Sequence, residues 1–158
     1  MMIKIRYLTK KDELDDLIHL SKEFFKEYDQ HHPDFFKISK IDDNDVKSYF
    51  KKTLGRVAEK TVVALDGDKI VAYITFSIKE RLPLYQLKRV GHISGLMVDK
   101  KYRRLGIAKK LLGFSKDWFK RKGIKYSYLE TSSQNHGAIK FYSKNNFQNL
   151  RVQLIGKN

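Results

Sequence analysis

Arg103, Gly106 and Ala108 lie in a basic turn between a strand-like run and a helix-like one, and they carry the clearest chemical signal in this chain. Val98 to Leu112 reads as the end of a strand, a short turn holding one glycine, and then an amphipathic helix. Glycine permits close approach to the backbone, and the first amides of a helix have no partner inside it. Those N–H groups, with the positive end of the helix dipole, favour a bound phosphate. Lys100, Lys101, Arg103, Arg104, Lys109 and Lys110 surround the turn with positive charge. The chemistry this predicts is recognition of a polyanionic ligand.

The formal charge of +15, from 33 basic and 18 acidic residues, raises nucleic acid or another acidic partner as an alternative. The excess is scattered as single residues and doublets, and lysine supplies 25 of the basic residues. Direct reading of bases leans on arginine, so nucleic acid ranks below a small polyanion. The absence of cysteine excludes disulfides, thiolate metal sites and cysteine nucleophiles, and no metal site is expected. No apolar run reaches the ~18 residues needed to cross a bilayer, and Met1 to Arg6 lacks the apolar core of a signal peptide. A cytoplasmic protein with no membrane partner is the expectation.

The elements that must hold the turn can be read from periodicity. Ten Phe and nine Tyr in 158 residues favour a folded core, and the absence of a linker or repeat predicts one domain over 1–158. Ile3, Ile5 and Tyr7 alternate as a strand. Thr9 is expected to cap a helix carrying Leu14, Leu17, Ile18, Phe24, Phe25 and Tyr28, which stops before Pro33. A second helix is expected from Asp42 or Asp43. Thr61–Leu65 and Ile70–Ile78 flank an Asp66-Gly67-Asp68 hairpin signal, and a loop with Pro83 precedes the strand Val90–Val98. Gly95 marks either a bulge in that strand or close packing under an aromatic ring. After the basic helix, which Gly123 ends, come a strand over Tyr126–Thr131, a helix over Asn135–Ser143 and a closing strand over Phe147–Ile155. The order β-α-α-β-β-β-α-β-α-β implies an α/β class fold, a mixed sheet with helices on both faces.

This order, with Arg103-x-x-Gly106-x-Ala108, resembles the GNAT superfamily of N-acetyltransferases across essentially the whole chain. The arginine–glycine–alanine spacing is similar to that family's acetyl-CoA signature. Asn135-His136-Gly137-Ala138 through Phe141-Tyr142 to Phe147 resembles its Asn-x-x-Ala-x-x-Phe-Tyr-x-x-x-Gly-Phe segment. Asn146 replaces the usual glycine, and asparagine is the next-best residue for a left-handed helix end. Tyr28 to Lys37 is also similar to a subset of small acetyltransferases.

The resemblance implies the acyl-CoA N-acyltransferase fold. The activity it implies is transfer of acetyl from acetyl-CoA to a primary amine, by direct attack in a ternary complex. It implies that the amides of Arg104, Leu105, Gly106, Ile107, Ala108 and Lys109 hold the pyrophosphate, with Arg103 and Arg104 adding charge at the rim. The backbone of Leu96, Met97 and Val98 would pair with the pantetheine arm and the acetyl carbonyl. Asn135 would bond a pantetheine amide, or only cap its helix. Tyr142 stands where the family places the acid that protonates the leaving thiolate, a role suited to a hydroxyl that stays protonated at neutral pH.

Many relatives carry an acidic base on the fourth strand; Ser94, Gly95 and Leu96 occupy those places here. Glu80, His92 and Glu130 are nearby, and Glu130 or His92 is the expected base, with a limb of activity near pH 6–8. A water chain with no dedicated base stays open. The acceptor surface would draw on Phe25, Tyr28, His31, His32, Phe35, Phe36, Tyr49 and Tyr85, which suit an amine with apolar or cationic character. A peptide N-terminus, a polyamine and an aminoglycoside-like amine remain alternatives, as does a homodimer. Two rival readings are a CoA-binding module with weak or no turnover and a basic nucleic-acid binder.

Overall fold

Alternating apolar residues in the middle of the chain build a five-stranded sheet in the spatial order β1-β2-β3-β4-β5. The computed structural model describes residues 1–158. Its strands are β1 (Ile3–Tyr7), β2 (Glu59–Asp66), β3 (Lys69–Glu80), β4 (Arg89–Val98) and β5 (Ser127–Tyr128). The first four pair antiparallel, and β5 joins β4 in parallel. The β2–β3 hairpin closes at Asp66↔Lys69 over Gly67 and Asp68, as the turn residues predict.

Both faces of the sheet are covered. Helices α1 (Asp15–Tyr28) and α2 (Asp43–Thr53) lie on one face, where Leu17, Leu20 and Phe50 pack against Val63, Tyr73 and Met97. Helix α3 (Ile107–Arg121) lies on the other, where Leu111, Leu112, Trp118 and Phe119 pack against Ile74, Phe76 and Ile93. Phe141, Tyr142 and Phe147, within and just after α4 (His136–Lys144), join this second core from its margin. Gly91 is forced by packing: a Cβ there would stand 2.7 Å from the ring of Phe119. No helix is long and apolar enough to cross a membrane.

Three expectations are corrected. Helix α1 begins at Asp15, not at Thr9, because Asp12 is engaged otherwise. Its carboxylate receives the Arg6 guanidinium at 2.6 Å and the Thr9 N–H at 2.7 Å, which closes a turn instead of a helix start. Strand β5 is two residues long, not six, because it parts from β4 after His92↔Tyr128. The expected closing strand over Phe147–Ile155 is absent: the chain beyond Phe147 forms no regular element, and Leu150, Val152 and Leu154 are exposed. The observed order is therefore β-α-α-β-β-β-α-β-α.

Candidate functional site

The site begins where two parallel strands separate. Pairing of β4 with β5 ends at His92↔Tyr128, so Ile93 to Val98 has a strand neighbour on one side only. The hydrogen-bond phase of that edge follows from Asp99, whose N–H donates to the Val71 carbonyl at 2.9 Å. Antiparallel pairs alternate, so Met97 and Gly95 bond across to Tyr73 and Thr75, while Leu96 and Val98 turn their backbone groups to the open edge. Of the three residues expected along a pantetheine arm, Leu96 and Val98 thus present free edges and Met97 does not. The register shifts between Thr75 and Phe76, leaving Ser94 unpaired, so the irregularity expected near Gly95 is present. The alternative holds as well, because a Cβ on Gly95 would lie 3.4 Å from the Tyr73 ring.

The basic turn follows at the end of this edge. Asp99 caps a short 3-10 turn over Lys100–Tyr102, accepting from the Lys101 N–H at 2.9 Å. Arg104 and Gly106 then take positive φ, 64° and 77°. Asparagine or glycine normally supplies that conformation, so Arg104 holds a strained one. Gly106 is the N-cap of α3 and no side chain caps the helix, so its first amides stay free. Exposed Arg104, Lys109 and Lys110 stand around them.

Arg103 departs from expectation. Its Nε donates to the Val98 carbonyl at 3.0 Å and its Nη2 lies 2.6 Å from Glu27 Oε1 on α1. The guanidinium expected at the phosphate rim pairs with Glu27 at the surface, and its Nε occupies one carbonyl of the open edge.

Tyr142 sits on α4 beside this gap, its ring between Phe141 at 5.1 Å and Phe147 at 5.5 Å. Its hydroxyl bonds to no protein group, so it is not a core tyrosine tied to the backbone. Burial pushes its pKa well above the ordinary phenol range, and the hydroxyl of Tyr28 acts in the same direction. Tyr28 belongs to α1, on the opposite face of the sheet. Tyr28 is itself fixed, donating to Thr131 Oγ1 and accepting from the Ser132 N–H, each at 3.1 Å. Asn135 caps α4 through Oδ1, which accepts from the Ala138 N–H at 3.2 Å, while its Nδ2 has no protein partner. Asn146 takes φ 67° at the end of α4, the left-handed role expected of it.

The base candidates are less well placed. His92 stacks on Tyr128 at 4.8 Å with 29° between the rings. Burial first, then Lys79, lowers its pKa below 6.5, with Glu130 opposing. The imidazole limb expected at pH 6–8 is thereby moved to the acid side. Glu130 is exposed and forms no ion pair. Glu80 pairs with Arg89 at 3.5 Å. The strand position that lacks a carboxylate is filled differently: Ser94 Oγ donates to the Thr75 carbonyl and meets Tyr49 Oη on α2, both at 3.1 Å.

The aromatic surface is real and partly committed to its own packing. Tyr28 stacks on Phe24 at 5.1 Å and meets Phe36 edge-on at 5.4 Å. His31 lies 4.8 Å from Tyr28 with its Nδ1 buried and unpartnered. His32 Nδ1 accepts from the N–H groups of Asp34 and Phe35, which fixes the loop. Sequence reasoning missed Glu27 as the anchor of Arg103 and the bond joining Tyr49 to Ser94. No local spacing signals a contact 76 or 45 residues apart.

Comparison with known proteins gives concordant results. The model of the acetyltransferase (GNAT) family matches residues 14–147. An uncharacterized N-acetyltransferase of Archaeoglobus fulgidus is 33% identical over 146 residues, covering 89% of this chain and 88% of that protein. The tetramutant of the BH1408 protein from Bacillus halodurans superposes with a TM-score of 0.85 at 20% identity, covering 98% of this chain and 99% of that one. Aminoglycoside N-acetyltransferase AAC(6')-Iy, solved in complex with CoA, superposes with a TM-score of 0.78 at 17% identity, covering 99% and 95%.

Proposed function

This chain belongs to the acetyltransferase (GNAT) family, and from that premise we propose how its residues divide the work of acetylating an amine. It is an N-acetyltransferase with acetyl-CoA as co-substrate. The observation that carries the proposal is the juxtaposition of the open β4 edge at Leu96 and Val98 with the uncapped start of α3. An amide-bearing arm suits the first and a pyrophosphate suits the second. Once bound, acetyl-CoA supplies an activated acetyl thioester.

The amides of Ile107, Ala108 and Lys109, with those of Arg104, Leu105 and Gly106, would hold the pyrophosphate. Arg104, Lys109 and Lys110 supply charge there, and Arg103 shapes the turn. Leu96 and the Val98 N–H would pair with the arm, and Asn135 Nδ2 is available to an amide oxygen of it. Tyr142 Oη holds the proton destined for the departing sulfur; its raised pKa keeps that proton in place at neutral pH. Either His92, neutral at pH 7, or Glu130 assists removal of the amine proton, directly or through water. The acceptor is a primary amine of a small molecule or peptide, received between α1, α2 and the loop after β3. The whole of 1–158 acts as one cytoplasmic domain.

Titration calorimetry with acetyl-CoA, followed by thiol release with a panel of amines, tests this. The expected result is binding of acetyl-CoA and amine-dependent release of CoA. Binding without transfer to any amine would leave a CoA-binding module. No binding would remove the site altogether.

A further inference from the structure

We propose that Tyr49 receives the acceptor amine, its hydroxyl locked by Ser94 as a hydrogen-bond acceptor; this rests on the acetyl-transfer reading above. Tyr49, in the second half of α2, is 40% exposed, and its ring meets Phe50 edge-on at 5.1 Å. Its Oη stands 3.1 Å from Ser94 Oγ, and Ser94 Oγ stands 3.1 Å from the Thr75 carbonyl. A carbonyl can only accept, and serine has one proton. With that proton on the Thr75 carbonyl, Ser94 must accept from Tyr49. The Tyr49 proton is then committed, and Oη faces outward with lone pairs alone.

An exposed phenol with a free rotor can either donate or accept, so it discriminates weakly. One held in this way favours a donor, and an amine brings N–H groups to it. The location fits that use. Ser94 is the residue extruded by the β4 bulge, and Leu96, two positions on, opens its backbone to the slot. Nothing acidic stands on the strand at this point, so an amine here meets a neutral acceptor instead of a carboxylate. Tyr49 is thus a binding residue for the amine, and Ser94 positions it.

The test is a double-mutant cycle with Tyr49→Phe, Ser94→Ala and the pair, read as the KM of the best amine in a panel of a free-α-amine peptide, spermidine and an aminoglycoside. Tyr49→Phe should raise the amine KM about tenfold, the effect of one lost hydrogen bond, with kcat and the calorimetric Kd for acetyl-CoA little changed. Ser94→Ala should raise KM in the same direction by less, and the double variant should be no worse than Tyr49→Phe. Circular dichroism and melting check that each variant folds; Phe keeps the ring packing, and Ala removes the Ser94 hydroxyl together with its bond to the Thr75 carbonyl. An unmoved amine KM in Tyr49→Phe, or additive effects in the pair, overturns the assignment while wild-type turnover keeps the broader reading. If wild type acetylates no amine, both fall together.

Discussion

Arg103 and Glu27 clamp the basic turn against α1, with guanidinium and carboxylate 2.6 Å apart and the Arg103 Nε on the Val98 carbonyl. In that pose Arg103 is placed to brace the turn against α1. Lys100 adds to it, 3.3 Å from Glu23 and 3.9 Å from Glu27, so two basic residues of the turn are tied to α1. What is left for an anion is the row of free amides and the exposed side chains of Lys101, Arg104, Lys109 and Lys110.

The sign of one substitution separates strut from ligand. If Arg103 bound phosphate directly, Glu27→Ala would release it and remove a nearby negative charge, and acetyl-CoA would bind more tightly. As a strut, Arg103 loses its hold on α1, and the Kd should instead rise by about two- to fivefold, the range expected for losing one exposed ion pair. Calorimetry at fixed ionic strength reads the outcome directly.

Gly106 offers a second test. Its φ of 77° is costly for residues with a Cβ, by about 1–2 kcal/mol, although no atom lies within 4 Å of a Cβ placed there. Gly106→Asn keeps access to that conformation without charge, whereas Gly106→Asp adds a carboxylate beside the free amides. The Kd for acetyl-CoA should rise at least about tenfold more in Asp than in Asn, and the gap should narrow as salt is raised. Equal affinities in the two variants would remove the pyrophosphate from this turn.

These contrasts show what could be read from residue order alone. Signals that act within a few residues were legible: the start of α2 near Asp42, whose carboxylate accepts from Asn44 and Asp45, the Gly67 hairpin, the Asn135 cap and the left-handed Asn146. The early start expected for α1 failed because Arg6, from β1, competes for Asp12, whose pKa it draws down to about 2. The closing strand failed although Leu150, Val152 and Leu154 alternate correctly, since a strand also needs a partner edge. The turn, Tyr142 and Asn135 were each legible as parts. The bonds of Glu27 to Arg103, of Tyr28 to Thr131 and of Tyr49 to Ser94 were not, because each joins residues 45 or more positions apart.

Tyr142→Phe keeps the packing against Phe141 and Phe147 and removes only the proton. kcat should fall by about 10²-fold, with the acetyl-CoA Kd little changed. Because burial raises the Tyr142 pKa, the wild-type kcat should not decline with alkali below about pH 10, the ordinary tyrosine value. Full activity in a folded Phe variant would remove the acid role, and an alkaline fall near pH 8 that vanishes in the variant would contradict the raised pKa.

The base leaves its mark on the opposite side of the profile. A general base works when deprotonated, so kcat/KM should rise through its pKa. Burial and Lys79 lower the His92 pKa and Glu130 lifts it, which puts an imidazole limb below pH 6.5. Two neutralising substitutions should then displace that limb in opposite directions. Glu130→Gln removes a charge that stabilises the imidazolium, so the limb moves to lower pH. Lys79→Gln removes a repelling charge, so it moves to higher pH. His92→Gln should abolish it while leaving acetyl-CoA binding intact. If Glu130 were itself the base, Glu130→Gln would abolish the limb instead of shifting it, and Lys79→Gln would have no imidazolium to relieve. A limb that ignores all three substitutions and follows the pKa of the amine supplied would mean that no side chain takes the proton. Rate would then depend on how well the site holds the neutral fraction of the amine against the thioester.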